Sequence, residues 1–170
     1  MKKSLILLVV AIFALGSTSF AQRSIKLGHL NSTELMQIMP GKDSAQAAFQ
    51  AEVDALEAQL TAMQTEFQNK YNEYMEKQSQ MTELIRKTKE QELMDMRQRI
   101  ESFSQNAQQQ LQEREKVLLQ PIIDRAKQAI AEVAKENGYT YIFDVSAGAL
   151  LYQQDSDDIL PLVKKKLGLK

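Results

Sequence analysis

"FQAEVDALEAQLTAMQTEF", residues Phe49 to Phe67, decides the fold. Its apolar side chains return at Phe49, Val53, Leu56, Leu60, Met63 and Phe67, in steps of four and three. Ala, Leu, Gln, Glu and Met fill most of the stretch, and all five favour helix. A stripe with that spacing runs straight along one side of a helix and is narrow, so it asks for one partner helix. It continues through Tyr71, Tyr74, Gln78 and Met81. A second stripe of the same kind follows Leu93, Met96, Ile100, Phe103, Ala107, Leu111, Arg114, Leu118 and Ile122. Between Ser44 and Asn137 there is no glycine, and Pro121 is the only proline.

A single helix over that span would be about 140 Å long. Folding one stripe back on the other is the economical alternative. Setting Met81 opposite Leu93, Tyr74 opposite Ile100, Met63 opposite Leu111 and Leu56 opposite Leu118 satisfies nearly every position. This predicts an antiparallel coiled-coil hairpin over residues 43–137, with its turn centred near Lys87 and its tip at 84–90. Each arm would be roughly 65 Å long. Each stripe also takes an extra four-residue step, at 63–67–71 and at 103–107–111, which this pairing puts at one level, and the second takes one more at 114–118–122. Such a step locally relaxes the supercoil. Pro121 predicts a bend near Val117–Pro121, because proline cannot donate to the preceding turn. Asn137-Gly138 marks the helix end.

The flanks differ in chemistry. "SIKLGHLN" (Ser24–Asn31) alternates as a short strand, and Ser32 or Thr33 could cap a short helix that stops before Pro40-Gly41. "GYTYIFDVSAGALLYQ" (Gly138–Gln153) reads as a β-hairpin with its turn at Ser146–Gly148. "DSDD" (Asp155–Asp158) offers caps for a last helix, "ILPLVKKKLG", with Pro161 in its first turn and Lys164–Lys166 near its negative end. Three short strands leave open edges, and a two-helix hairpin cannot bury both faces, so self-association is expected. Ile25, Leu27, Tyr141, Ile142, Phe143, Leu150 and Leu151 are the candidates for that contact. The fold class is therefore mainly α with a small β body, built from residues 22–42 and 138–170, from which the helical hairpin projects.

The chain starts with "MKK", an apolar run, and Ser19-x-Ala21, which together read as a cleaved secretory signal over residues 1–21. Removing Lys2 and Lys3 from the 21 bases leaves 19 against 22 acids, a net charge of −3. That balance gives no reason to expect nucleic acid. There is no cysteine, hence neither disulfide nor thiol chemistry. His29 is the only histidine and reads as a packed or surface residue, while "DSDD" lacks the glycine and distal glutamate of a calcium loop. No cofactor, metal site or catalytic constellation is expected.

Two features of the hairpin invite a functional reading. Asp43 to Glu76 holds seven acids and one base, whereas Lys77 to Arg99 holds six bases and four acids. Arg86, Lys87, Lys89, Arg97 and Arg99 could belong to a solvated coiled-coil face, or to a tip that meets anionic lipid or lipopolysaccharide. Met75, Met81, Met94 and Met96 gather with Leu84, Ile85 and Leu93 toward the tip. These side chains could pack the seam, or hold varied apolar partners, for which flexible methionine is suited.

Taken together, "IKLGHLN", the long polar hairpin and the ending "YIFDVSAGALLYQQDSDDILPLVKKKLG" resemble the OmpH/Skp family of periplasmic chaperones. The resemblance covers essentially the whole chain after the signal, and the ending carries most of it. It implies a homotrimer with a β-barrel-like body made by all three chains and three tentacles around a cavity. It also implies ATP-independent holding of unfolded outer-membrane proteins in the periplasm. The strongly basic tentacles of the best-known members are muted here, and no residue is assigned to lipopolysaccharide. The competing reading is a structural or adaptor coiled coil of the envelope with one fixed partner.

Overall fold

The computed structural model describes residues 25–169; the proposed signal lies outside them. Strand β1 (Leu27–Leu30) leads into helix α1 (Ser32–Ile38), then α2 (Lys42–Lys77). A short 3₁₀ turn at Gln78–Gln80 reverses the chain into α3 (Glu83–Asn137). Strand β2 (Tyr141–Asp144) and helix α4 (Leu160–Leu167) complete it.

The stripes read from the sequence are the seam between α2 and α3. Every named position of both stripes is buried or half-buried except Tyr71. The turn, however, sits at Gln78–Thr82 and not at 84–90. Lys70 meets Glu92 and Glu52 meets Gln110, where the predicted pairing set Lys70 against Ser104. The arms are thus displaced by about eleven or twelve residues, close to three helical turns. A slide of three whole turns returns the same face to the partner, so both registers bury the same stripe. Chain reversal is set instead by Thr82, whose hydroxyl accepts from Ile85 N at 3.4 Å and starts α3, with Glu83 in its first turn. The extra four-residue steps no longer lie opposite each other.

α3 runs uninterrupted through Pro121. Its last third is the spine of the body: Ile122, Ala126, Ala129 and Val133 repeat at four, three and four, and are buried against Leu30, Leu35, Met39, Ile159, Leu160 and Val163. Gly138, at φ 70°, ends it in the left-handed conformation that glycine takes without penalty, and Tyr139 N donates back to Ala134 O at 3.0 Å. Asn31, not Ser32 or Thr33, caps α1 by accepting from Glu34 N. Asp158 accepts from Leu160 N at 2.8 Å at the start of α4. Lys166 reaches Glu132 and Glu136, and Lys164 reaches Glu34, which tie α4 to α3 and α1.

The β structure departs from the expected hairpin. β2 pairs with β1 in parallel, Leu27 beside Tyr141 and Leu30 beside Asp144. Val145 to Gly148 does turn, with Gly148 N donating to Val145 O at 3.1 Å, but Ala149–Gln153 forms no strand. Its residues have strand chemistry, yet a strand exists only where a neighbour completes the ladder. The parallel pair is packed closely beneath: a Cβ at Gly28 would stand 2.9 Å from Tyr139 Cε1 and 3.0 Å from Ile159 Cγ2. Gly28→Val is therefore expected to destabilise the body by about 1–3 kcal/mol through overpacking. Thermal unfolding would read this as a lower Tm, and an unchanged Tm would contradict the packing.

Candidate functional site

Two surfaces carry apolar residues that the fold leaves uncovered. The first is on the arms. Tyr74 and Met96 are buried at the distal seam, which removes Met96 from the exposed candidates, and Met81 and Leu93 are half-buried. Met75, Met94, Leu84 and Ile85 are exposed, Leu84 at 76%. Phe67, Tyr71, Tyr74, Met75, Glu90, Leu93, Met94 and Arg97 line one open groove between α2 and α3. Phe67 and Tyr71 stack there, with ring centroids 6.2 Å apart. Sequence reasoning placed Tyr71 inside the seam. The extra four-residue step at 67–71 was the available signal that it turns outward, since the step rotates the stripe away from the partner.

Polar contacts join the arms beside this groove. Glu92 accepts from both Lys70 and Lys89, and those two cations hold its carboxyl down at about 2. Tyr74 donates to Glu90 at 2.6 Å, which raises the phenol above its ordinary range. Lys87 pairs with Glu83, and Lys77 with Glu73, each within its own helix. The bases thus do not form one field: Lys87 and Lys89 are matched, whereas Arg86, Arg97 and Arg99 make no ion pair among the described residues.

The second surface is the outer face of the two strands. Alternation sends Gly28, Leu30 and Ile142 toward the core and Leu27, Tyr141 and Phe143 outward. Ile142 is half-buried against the core, so it is not part of the open face. Leu27, Tyr141 and Phe143 are exposed, Leu150 and Tyr152 line an open pocket with Leu27 and Phe143, and Ile25 and Leu151 are exposed too, Leu151 fully in solvent. His29 also lies on this side but is buried, with Nε2 at 2.9 Å from Gln154 O. At the patch edge Asp144 accepts from Ser32 Oγ at 2.6 Å and from Ser146 N at 2.9 Å, and this bonding lowers its carboxyl to about 2. Among the described residues no three His, Asp or Glu side chains gather as a metal site, and no helix is long and apolar enough to cross a membrane.

A long two-helix arm on a small mixed body is a shape with known relatives. The family described as outer membrane protein (OmpH-like) matches residues 26–167, and the chain belongs to that family. A chaperone protein Skp of Photorhabdus luminescens is 28% identical over 154 residues, covering 91% of this chain and 92% of the relative. A chaperone protein Skp of Pectobacterium atrosepticum is 25% identical over 153 residues, covering 90% and 92%. The crystal structure of an OmpH-like protein of Caulobacter crescentus CB15 shares the fold, with a TM-score of 0.72 at 15% identity over 84% of this chain and 83% of that one.

The Glu92 cluster has a pH signature. A carboxyl depressed in the folded arm contributes stability above its unfolded pKa near 4.5 and loses it as pH falls toward 2. Carbon-13 NMR of the glutamate carboxyls is expected to find Glu92 titrating near 2, and Lys70→Met to move it upward. Glu92→Gln should remove that part of the acid sensitivity of the arm. An unshifted Glu92 in the wild type would show that the cluster is not formed in solution.

Proposed function

We propose that this chain is a periplasmic, ATP-independent holdase that keeps unfolded outer-membrane proteins from aggregating. It would work as a homotrimer, with the arms as tentacles around a shared cavity. The observation that carries the reading is the set of apolar side chains placed on the arms but outside their seam: Tyr71, Met75, Leu84, Ile85 and Met94. Side chains that do not hold the arms together are free to hold something else. Flexible thioethers and aromatic rings suit varied sequences, because methionine adapts its shape at little strain. Export rests on the residue 1–21 signal, and trimer assembly on the apolar outer face of β1 and β2. The family and the relatives named Skp support the chaperone assignment. No catalytic role is proposed. Arg86, Arg97 and Arg99 are the bases left to meet an anionic lipid, a smaller set than the sequence offers.

Assembly and holding are separable in test. Phe143→Asp with Tyr141→Asp puts charge on the outer face without touching the core side, and is expected to yield monomers by light scattering; stable trimers would remove that face from the interface. For the arms, the observed register allows a matched cut: joining Met63 to Ile100 through a short Gly-Ser turn deletes residues 64–99. Each arm becomes roughly 21–25 Å shorter. The shortened protein is expected to assemble normally but to lose most suppression of turbidity when a urea-unfolded β-barrel protein is diluted into buffer. Equal suppression by both forms would move the activity to the body. A single folded partner, bound in fixed ratio, would favour an adaptor.

A further inference from the structure

The groove on the arm has a direction as well as an apolar floor. In the register set by Lys70–Glu92 and Tyr74–Glu90, Arg97 lies at the body-side end, near Phe67, and Glu90 at the tip-side end, near Met75. The two ends are not equivalent. Glu90 is already engaged by the Tyr74 hydroxyl, whereas Arg97 makes no ion pair among the described residues. Between them lie the stacked Phe67 and Tyr71 rings and the exposed Met75 and Met94 thioethers. From Phe67 to Met75 the groove is about 12 Å long at 1.5 Å per helical residue. Extended chain advances roughly 3.3 Å per residue, so four residues fill that length and send two alternate side chains to the floor.

We propose that this groove docks an extended segment of an unfolded chain by a polar code: apolar or aromatic residues at alternating positions on the floor, and a carboxylate at the end that meets Arg97. The proposal rests on the holdase reading and adds which segments are held and in which direction. Guanidinium is suited to the carboxylate end because it offers a planar, two-pronged donor set and stays charged at any working pH. Alternating apolar residues are what the strands of a membrane β-barrel present before they fold. The site is therefore matched to a segment pattern, not to one sequence, and the adaptable Met75 and Met94 absorb differences in side-chain shape.

Two fluorescein-labelled peptides of alternating threonine and phenylalanine test this, one ending in two aspartates and the other in two lysines, by anisotropy with the full-length mature protein. The aspartate peptide is expected to bind about fivefold or more tightly, in the range that one or two exposed ion pairs supply. Arg97→Gln should abolish the difference and Arg97→Glu reverse it. Tyr71→Ser with Met94→Ser should weaken both peptides alike, because both changes are on the surface and remove only the floor. Equal binding of the two peptides by the wild type, or a preference unchanged in Arg97→Glu, would overturn the proposal. So would capture of anionic phosphatidylglycerol vesicles through Arg97 without any peptide preference. Turbidity of a diluted unfolded barrel protein separates this from the broader reading. If the wild type fails to suppress aggregation, the holdase assignment falls; if it succeeds and the floor variant succeeds equally, only the groove falls.

Discussion

Phe49, Val53, Leu56 and the rest of the α2 stripe face water unless α3 covers them, and the α3 stripe has the same need. Covering one with the other is the largest single burial open to a chain that devotes most of its length to two helices. The pairing is indifferent to sliding by whole turns, so something else must choose the level. That choice is made at both ends, by the Thr82 cap at the turn and by packing at the base. A Cβ on Gly41 would lie 4.0 Å from Ile122 Cγ1, and Ala45 is buried in the same cluster as Ile122 and Ala126. With α2 pinned there, Glu52 comes to Gln110 and Arg114, and Lys70 to Glu92. α3 is the longer helix, 55 residues against 36, and its surplus beyond the base is the spine on which α1, α4 and the strands pack.

Periodicity made the hairpin legible from the sequence, down to which side chains face inward, because a helical stripe is written directly in residue spacing. The level of pairing was not legible. A displacement of about three turns leaves the same residues facing each other's helix, and the cues that break the tie are a threonine cap at Thr82 and a tertiary contact at Gly41. Neither is periodic. The coincidence of the two extra four-residue steps pointed to the wrong level, yet the step at 67–71 has a local consequence of its own in the outward turn of Tyr71. Met96 stood both in the α3 stripe and, beside Met94, among the side chains that could hold a partner. Two residues along a helix lie on opposite sides, and the seam takes Met96 while Met94 stays in solvent.

The β region shows a different limit. "YIFDVSAGALLYQ" carries the residue types of a hairpin, and the turn it predicts is present at Val145–Gly148. Strand propensity, though, describes how a side chain fits a half-covered pleated surface, and the partner decides whether the fit is used. Here β2 takes β1, brought beside it by Thr140 N on Lys26 O at 2.7 Å and Val145 N on Leu30 O at 3.0 Å. Leu150, Leu151 and Tyr152 then have no ladder within the described chain and stand in solvent. Large side chains exposed on the outer face of a two-stranded sheet are costly in a solitary molecule, which is why we propose that face for assembly.

On the holdase reading we propose, the distal arm must satisfy two opposed demands. It has to keep two helices together far from the body, and it has to leave apolar side chains uncovered. A wider hydrophobic seam would meet the first demand by consuming the second. The structure divides the work by chemistry. Tyr74 and Met96 supply a narrow buried contact, and Glu92, shared between Lys70 and Lys89, adds charge along its flank, with the Tyr74 to Glu90 bond closing the set. Exposed pairs of this kind are each worth little. They lie together on the distal arm, and they need no apolar area to add to the buried contact. Tyr71, Met75 and Met94 are thereby released from holding the arm together. The pairing also keeps the bases of the arm from accumulating into one strongly positive surface: Lys70 is matched across the arms by Glu92, and Lys77, Lys87 and Lys89 are matched by acids of their own helices.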